Sequence, residues 1–513
     1  MATPNPPPSN GAPRRTSALY NWVSTLGLVL IVIGIIGGLM MVLSDALLPA
    51  VPAYLGLMYV PLLMLIVAGV VMYPLGYALA RRKQARGEAL RLPLRIQIDF
   101  TLPRHRNIFL ATLAVGIVSL AVAVIGSFQA YQAMETNTFC GQMCHSVMGP
   151  EYTAYQHTPH ARVKCVECHI GSGVGWYIHS KTSGMRRLAA LLTNSYARPI
   201  PTPIQDMRPA RETCEECHWS SRFVGYKEKV LTYYTSEETS PEIKMRMLLK
   251  IGGADSPFMK GFGIHYHMQV ANKVEYISKD RQRQEISWVR VSRADGRVTE
   301  YNNEEAALTD PEKKTLPVRR MECLDCHNRP AHDFKSPMHA VDEALAAGTL
   351  NRALPFIKVQ AVKALDGKYA TEADARAGIR KSLTEFYKAK RPEVLEKQGA
   401  LVNQTVTALQ TIYATSFFPE MKVKWSAYPN NLGHRDWPGC FRCHNDKMVS
   451  AKGEKVFTDC TKCHLILAQG DGAERGASVN FSRGQAFTHP GTGEVMKEYA
   501  KCTECHAGGA ELY

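Results

Sequence analysis

Fourteen cysteines fall in seven close pairs, and each pair is followed at once by a histidine. Six pairs share one spacing, Cys-x-x-Cys: Cys165/Cys168, Cys214/Cys217, Cys323/Cys326, Cys440/Cys443, Cys460/Cys463 and Cys502/Cys505. The first pair, Cys140/Cys144, is one residue wider. Two thiols at this spacing can add to the two vinyl groups along one porphyrin edge, with the next histidine beneath the iron as proximal ligand. A single Cys-x-x-Cys serves zinc or thiol redox chemistry equally well. Six regular copies with the same trailing histidine, and no cysteine left over, favour covalent haem c over zinc. The proximal ligands are then His169, His218, His327, His444, His464 and His506. At Cys140/Cys144 a disulfide is the alternative, but His145 keeps its place, so seven haems are expected.

An iron with two axial histidines needs a second imidazole. Seventeen histidines leave ten outside the motifs: His105, His157, His160, His179, His265, His267, His332, His339, His434 and His489. The distal candidates are His160, His265, His267, His332, His434 and His489. His160 lies five residues before Cys165, and His332 five after His327. His265 and His267 alternate in Gly-Ile-His-Tyr-His-Met, so on a strand they would face opposite sides and serve different haems. His434 and His489 stand alone in polar stretches, where a histidine is more often merely solvated.

The elements that must position these groups begin with three long uncharged stretches, residues 16–44, 46–80 and 107–134. Each exceeds the roughly 20 residues a helix needs to cross a bilayer. Gly34, Gly37, Gly38, Gly69 and Gly76 would let the first two helices approach closely. Residues 81–106 carry Arg81, Arg82, Lys83, Arg86, Arg91, Arg95, Arg104 and Arg106 against Glu88 and Asp99. The tail carries Arg14 and Arg15, whereas the turn from Asp45 to Pro52 has no positive charge. The positive-inside rule therefore puts the tail and basic loop in the cytoplasm. Three regions follow: a disordered tail (1–21), a three-span membrane domain (22–134) with its basic loop at 81–106, and an outside domain (135–513) holding every motif. His105, on the cytoplasmic side, drops out as a ligand. The first span, without a small-residue cleavage site, reads as an uncleaved signal anchor.

The net charge of +15 has a local cause in this loop, and the propionates of seven haems would offset about 14 charges. No basic face interleaved with stacking aromatics points to nucleic acid. Beyond residue 135 the polypeptide is thin for seven haems, so the porphyrins must supply much of the apolar interior. Residues 220–320 have strand character, with Ile286, Trp288, Val289 and Val291 leading to an Asp295-Gly296 turn and Val298. Residues 338–415 read as helix: Thr371 with Asp374 makes a capping box, and Ile379, Leu383, Phe386 and Tyr387 mark one face. The expected fold is mainly α with sparse secondary structure: three transmembrane helices, then an extended multihaem domain with a small β insert.

The first motif directly after a spanning helix is followed by His157-Thr-Pro-His160-Ala-Arg-Val-Lys-Cys165-Val-Glu-Cys168-His169 and by Trp176 through Lys181. Over about residues 107–220 this resembles the NapC/NirT/NrfH family of membrane quinol dehydrogenases. The whole layout adds Gly-Ile-His-Tyr-His-Met, Cys323-Leu-Asp-Cys326-His327-Asn-Arg-Pro and Gly439-Cys440-Phe-Arg-Cys443-His444. It is similar to the heptahaem inner-membrane cytochromes of the ImcH type. The resemblance implies a multi-pass inner-membrane protein with a periplasmic haem domain. It also implies that menaquinol is taken from the membrane pool and its electrons delivered to periplasmic cytochromes c. It assigns the quinol site to Lys181, about twelve residues past the second haem's histidine. The family's first motif is normally Cys-x-x-Cys-His-x-Met, and that methionine can bind the iron; here Met148 stands three residues after His145, and Met143 lies inside the widened motif. A carboxylate the family places further on is replaced by Met185-Arg186-Arg187-Leu188.

The reading is an electron-transfer oxidoreductase with quinol oxidised near the first haem. Quinol must also lose two protons, so a base belongs close by. One rival is a pure electron conduit whose partner oxidises the quinol. The other is a multihaem terminal reductase, against which stands the lack of any Cys-x-x-Cys-Lys motif.

Overall fold

The computed structural model describes residues 21–47, 59–86, 101–143, 145–171, 173–204, 207–219, 223–252, 263–268, 272–471, 483–490, 492–496, 502–506 and 508–510. The tail to residue 20, part of the basic loop (87–100) and Cys144 lie outside these residues. The chain forms two compact units, residues 1–136 with 172–181, and 137–171 with 182–513.

In the first unit, α1 (Trp22–Leu47), α2 (Tyr59–Ala85) and α3 (Pro103–Met134) follow the three apolar stretches. Trp22–Leu39 and Leu62–Ala85 are long and apolar enough to cross a membrane. α3 has 32 residues, and many of its side chains lie outside the described set. α1 and α2 meet along glycines. A Cβ on Gly27 would come within 2.9 Å of the Gly69 carbonyl, and one on Gly34 within 2.9 Å of the Leu62 carbonyl. Gly37 faces the Leu62 side chain and Gly76 the Ser24 backbone, so these positions exclude any side chain. Gly38 has no neighbour within 4 Å and lies off the seam, whereas Gly27, absent from the sequence reading, lies on it. Ser24 Oγ adds a hydrogen bond to the Tyr73 carbonyl at 3.0 Å.

The second unit opens with short helices around the early motifs: α4 (His145–Gln156), α5 (Cys165–His169) and α7 (Ala210–Cys214). The longer α6 (Val174–Leu192) lies between α5 and α7 in the chain. Strands β1 (Gly225–Tyr234) and β2 (Glu242–Gly252) follow, then β3 (Lys273–Ser278), β4 (Ile286–Ser292) and β5 (Val298–Asn303). Next come α8 (Asp310–Thr315), β6 (Arg319–Arg320), α9 (Cys323–Cys326), α10 (Pro337–Ala346), α11 (Ile357–Leu365), α12 (Glu372–Lys390) and α13 (Pro392–Ser416). β7 (Met448–Ser450) and β8 (His464–Gly470) come last.

The anticipated hairpin is β4–β5, pairing Trp288 with Asn302, with Gly296 at φ +81° in its turn. The β structure is larger than one insert. Two antiparallel sheets form, ordered β6-β3-β4-β5-β7 and β1-β2-β8. β7 and β8 join from beyond the helical segment, because each finds a free edge of an earlier pair. A three-residue strand and a short apolar run carry too little periodicity to announce this.

The helical segment builds a larger side-chain core than was expected of so thin a polypeptide. α10–α13 build a side-chain core of their own, in which Val341, Leu354, Ile357, Leu365, Ile379 and Leu409 are fully buried. The capping box of Thr371 and Asp374 starts α12, and its face of Ile379, Leu383 and Tyr387 points inward, with Phe386 at the margin. A charged pair lies within this core. Lys358 Nζ donates to Asp342 Oδ1 at 2.6 Å and to the Met338 carbonyl at 2.9 Å, while the Tyr234 amide donates to the same carboxylate. Burial pushes Asp342 up and Lys358 down, and each partner opposes the other's shift. Removing one member of a buried pair strands the other. Lys358→Met should therefore cost about 3–5 kcal/mol in denaturant unfolding, and the double change with Asp342→Leu should recover most of it.

Candidate functional site

Six pairs of histidine rings face each other in the second unit, and each pair contains one motif histidine and one histidine from elsewhere. His169 faces His332 with ring centroids 6.1 Å apart, and His218 faces His160 at 6.1 Å. His327 faces His265 at 6.4 Å, and His444 faces His267 at 5.8 Å. His464 faces His434 at 6.3 Å, and His506 faces His489 at 5.8 Å. Two metal–imidazole bonds of about 2 Å, plus two ring radii of roughly 1.1 Å, separate the centroids by about 6 Å. The rings thus stand where two axial ligands of one metal would stand. Among the described residues no group of three or more His, Cys, Asp or Glu could hold a metal by itself. A metal between such rings takes two protein ligands, too few for tetrahedral zinc, and must draw the rest from a ligand such as porphyrin.

The ring nitrogens fit this geometry. Nδ1 of His160, His265, His267, His332 and His444 lies 3.0–3.1 Å from the carbonyls of Pro330, Ile251, Ile264, Glu151 and Phe457 respectively. A carbonyl can only accept, so Nδ1 carries the proton and Nε2 keeps its lone pair for a metal. Burial pushes His169, His444 and His464 down to about 4, and lowers His265, His267, His327, His332, His434 and His506 too. Such rings are neutral at pH 7, as metal ligation requires.

His265 and His267 reach different partners for a reason other than the one expected. They lie on a 3₁₀ turn, Ile264–Met268, rather than a strand. At roughly three residues per turn, positions i and i+2 still diverge by about 120°. His434 and His489, candidates for which solvation was the bland alternative, each face a motif histidine. His339, another of the histidines outside the motifs, is exposed and bonds Glu343 at 3.1 Å.

Neighbouring motifs lie near one another in chain order. Cys165 hydrogen-bonds Cys140, which with burial pushes its thiol up, and Cys214 hydrogen-bonds Cys323. Cys168 lies in the field of Cys217, Cys326 of Cys440, Cys440 of Cys463, and Cys502 of Cys460. Side chains tie the helices that carry them. Glu322, at the start of α9, accepts the Ala210 amide of α7 at 3.0 Å, and Arg442 Nη2 donates to the Asp325 carbonyl at 2.7 Å. None of these ties was visible in the motif pattern.

The last motif shows where the protein does not enclose its thiols. Cys505, expected from the sequence to hold the seventh haem together with Cys502, is exposed, whereas Cys502 is partly buried. Cys505 lies at the surface, as do Cys217, Cys440 and Cys460. The physical reason is local. The motif is a 3₁₀ turn, Cys502–Glu504, closed by the Cys505 amide donating to the Cys502 carbonyl at 3.2 Å. So short a turn gives its two thiols different surroundings. Exposure leaves the chemistry open to Cys505, since a thioether forms at a porphyrin edge and needs no protein core around it.

Of the first motif, Cys144 and the His145 side chain lie outside the described residues. Met148 is half-buried on α4, and Met143 is 70% exposed. Lys181 lies on α6 with Nζ 5.0 Å from the centre of the Tyr177 ring. Tyr177 is buried against Tyr131, and burial with nearby Glu135 pushes it up to about 12. Tyr177 was not named from sequence; its place four residues before Lys181 on one helix face was the available signal.

Facing imidazoles behind repeated Cys-x-x-Cys-His motifs, in a chain with membrane-length apolar helices, define a membrane multihaem c-type cytochrome. Residues 103–200 match the NapC/NirT cytochrome c family, N-terminal region. The chain is 37% identical over 504 residues to the cytochrome c-type protein ImcH of Geobacter sulfurreducens, spanning 97% of both chains. No solved structure matches. The chain belongs to the NapC/NirT cytochrome c family, in its ImcH type. It is thus an electron-transfer protein with covalent haem c.

If the ring pairs are axial ligands, each distal histidine should govern one haem. His267→Ala should turn a single haem high-spin, with the rest low-spin and the haem mass unchanged. His265→Ala should do the same to a different haem, and the double variant should show both changes in its EPR spectrum.

Proposed function

We propose that this cytochrome oxidises menaquinol at the inner membrane and passes the electrons through seven covalent haems to periplasmic cytochromes c. The observation that carries the reading is the set of six facing imidazole pairs, joined motif to motif in chain order. Cys140/Cys144 through Cys502/Cys505 hold the haems, with His145, His169, His218, His327, His444, His464 and His506 as proximal ligands. His332, His160, His265, His267, His434 and His489 are the distal ligands of the second to seventh sites, in that order. Met148 serves the first. Bound haem supplies one-electron storage at each iron.

The chain's own residues do the rest. At the second to seventh sites the paired imidazoles would occupy both protein-ligand positions of the iron, leaving none there for a substrate, which argues against a reductase. At the second to seventh sites paired histidines also lack the upward push on potential that a Met ligand gives, which suits a low-potential chain beyond the first site. A quinol's apolar tail confines it to lipid, so its oxidation belongs at the first motif, beginning five residues past Glu135 at the end of α3. Lys181, held over Tyr177, donates to a quinol oxygen. The N-terminus and the basic loop lie in the cytoplasm, and the domain from residue 135 lies in the periplasm.

Two measurements test this reading. The intact mass after denaturation should exceed the 57.0 kDa of the polypeptide by seven haem masses; six would mean that Cys140/Cys144 holds none. Lys181→Leu should slow reduction by a quinol analogue about tenfold or more, the value of one hydrogen bond from a charged group, while dithionite reduces every haem as before. A wild-type rate in a fully loaded variant would place the quinol elsewhere. Failure of the purified wild-type chain to accept quinol electrons would favour the conduit.

A further inference from the structure

We propose that Asp325 is a positioning residue that locks the fourth and fifth haem sites together and holds their potentials down by its charge. The inference rests on the haem assignment above. Asp325 stands inside the fourth motif, one residue before Cys326 and two before His327, and is only 4% exposed. A carboxylate out of water is costly unless its oxygens are occupied, and these are. Oδ1 accepts the Tyr276 hydroxyl at 2.5 Å and Arg283 Nη1 at 2.7 Å, while Oδ2 accepts the Glu322 amide at 2.7 Å.

The backbone of the same residue reaches the fifth motif. Its carbonyl accepts Arg442 Nη2 at 2.7 Å and Asn431 Nδ2 at 3.0 Å. Arg442, between Cys440 and Cys443, turns its other nitrogen, Nη1, to the Arg283 carbonyl at 2.8 Å. The loop of bonds thus closes from the Asp325 carboxylate through Arg283 and Arg442 back to the Asp325 carbonyl. On the far side, one 3₁₀ turn faces His265 to His327 and His267 to His444. The two motifs are therefore joined twice, once through their distal ligands and once through Asp325. No other neighbouring pair of motifs is tied by a buried charge inside a motif among the described residues.

A cap for α9 alone would need only the bond from the Glu322 amide, which an asparagine oxygen could also accept. The charge does something an amide cannot. Each reduction places an electron beside the carboxylate, and little water intervenes to screen the repulsion. Arg283 and Arg442 oppose this, so removing the carboxylate leaves the site net positive and easier to reduce.

The test is a redox titration of the full, haem-loaded protein by visible and EPR spectroscopy, with intact mass measured on every variant. Asp325→Asn should move two of the haem components to higher potential and leave the others in place. Tyr276→Phe removes a donor from the carboxylate and keeps its charge, so the same two components should move to lower potential. Opposite shifts support the proposal. Unchanged potentials, or loosening that moves both variants the same way, would overturn it and reduce Asp325 to a helix cap. Should Asp325→Asn fail to assemble, Tyr276→Phe decides alone, and no shift there overturns the proposal. A wild-type mass lacking the haem of the fourth or fifth motif would instead sink the assignment beneath it.

Discussion

For two imidazoles to share one metal, side chains from distant parts of the chain must meet within about 6 Å, with ring nitrogens facing inward. The second unit meets that demand six times, and much of its architecture can be read as the means. β2 is the clearest case. Its Ile251 carbonyl orients His265, while Leu249 pairs with His464 and the Lys250 amide donates to the Cys463 carbonyl at 2.8 Å. One strand thus sets the rings of the fourth and sixth sites. The 3₁₀ turn after it sets the fourth and fifth together, and the Glu151 carbonyl on α4 sets the second through His332.

Two kinds of interior coexist in this unit. Around the motifs, most cysteines remain partly exposed and the protein closes over little apolar surface of its own. In α10–α13 the packing is that of an ordinary helical core, down to residues with no accessible surface. The second steadies the first. Ser336 Oγ donates to Asp436 Oδ2 at 2.5 Å, two residues from His434, and Asp366 Oδ2 accepts the Ala510 amide at 2.9 Å, just past the last motif. The Met338 amide donates to the Gly508 carbonyl as well. The cysteine-free segment is thus a clamp on the C-terminal motifs, and its buried charged pair sits beside that grip through Arg435 and Asp342.

How much of this could be read beforehand follows from how far each feature reaches along the chain. Cys-x-x-Cys-His is local, as are the Thr371 capping box and the Asp295-Gly296 hairpin, and all three were legible. So was the set of second histidines, because elimination left few others. The pairing was not legible. His332 follows His327 by five residues yet faces His169, and His160 precedes Cys165 by five yet faces His218. Proximity in sequence does not identify the facing ring in either case, since a short linker cannot fold a ring back across its own motif. Nor does spacing report surroundings, so the surface position of Cys505 beside the half-buried Cys502 could not be read from their shared motif. The β7 and β8 edges were hidden for a related reason: short strands take their identity from the edge they join.

The second bond of each imidazole divides the sites further. A ring whose Nδ1–H meets a carbonyl is a more basic ligand through Nε2 and is fixed in orientation. On the proposed assignment, the second, third and fourth sites each have one such ring, and the fifth has two, His267 and His444. Nδ1 of His464, His489 and His506 is buried without a hydrogen-bond partner among the described residues, and His434 Nδ1 lies 3.8 Å from the Cys502 sulfur. A more basic ligand would stabilise the oxidised iron, so on that assignment the second to fifth sites would favour giving an electron up and the last two would favour keeping it. Among these six sites ligand chemistry and chain order would then point the same way with no difference in ligand type.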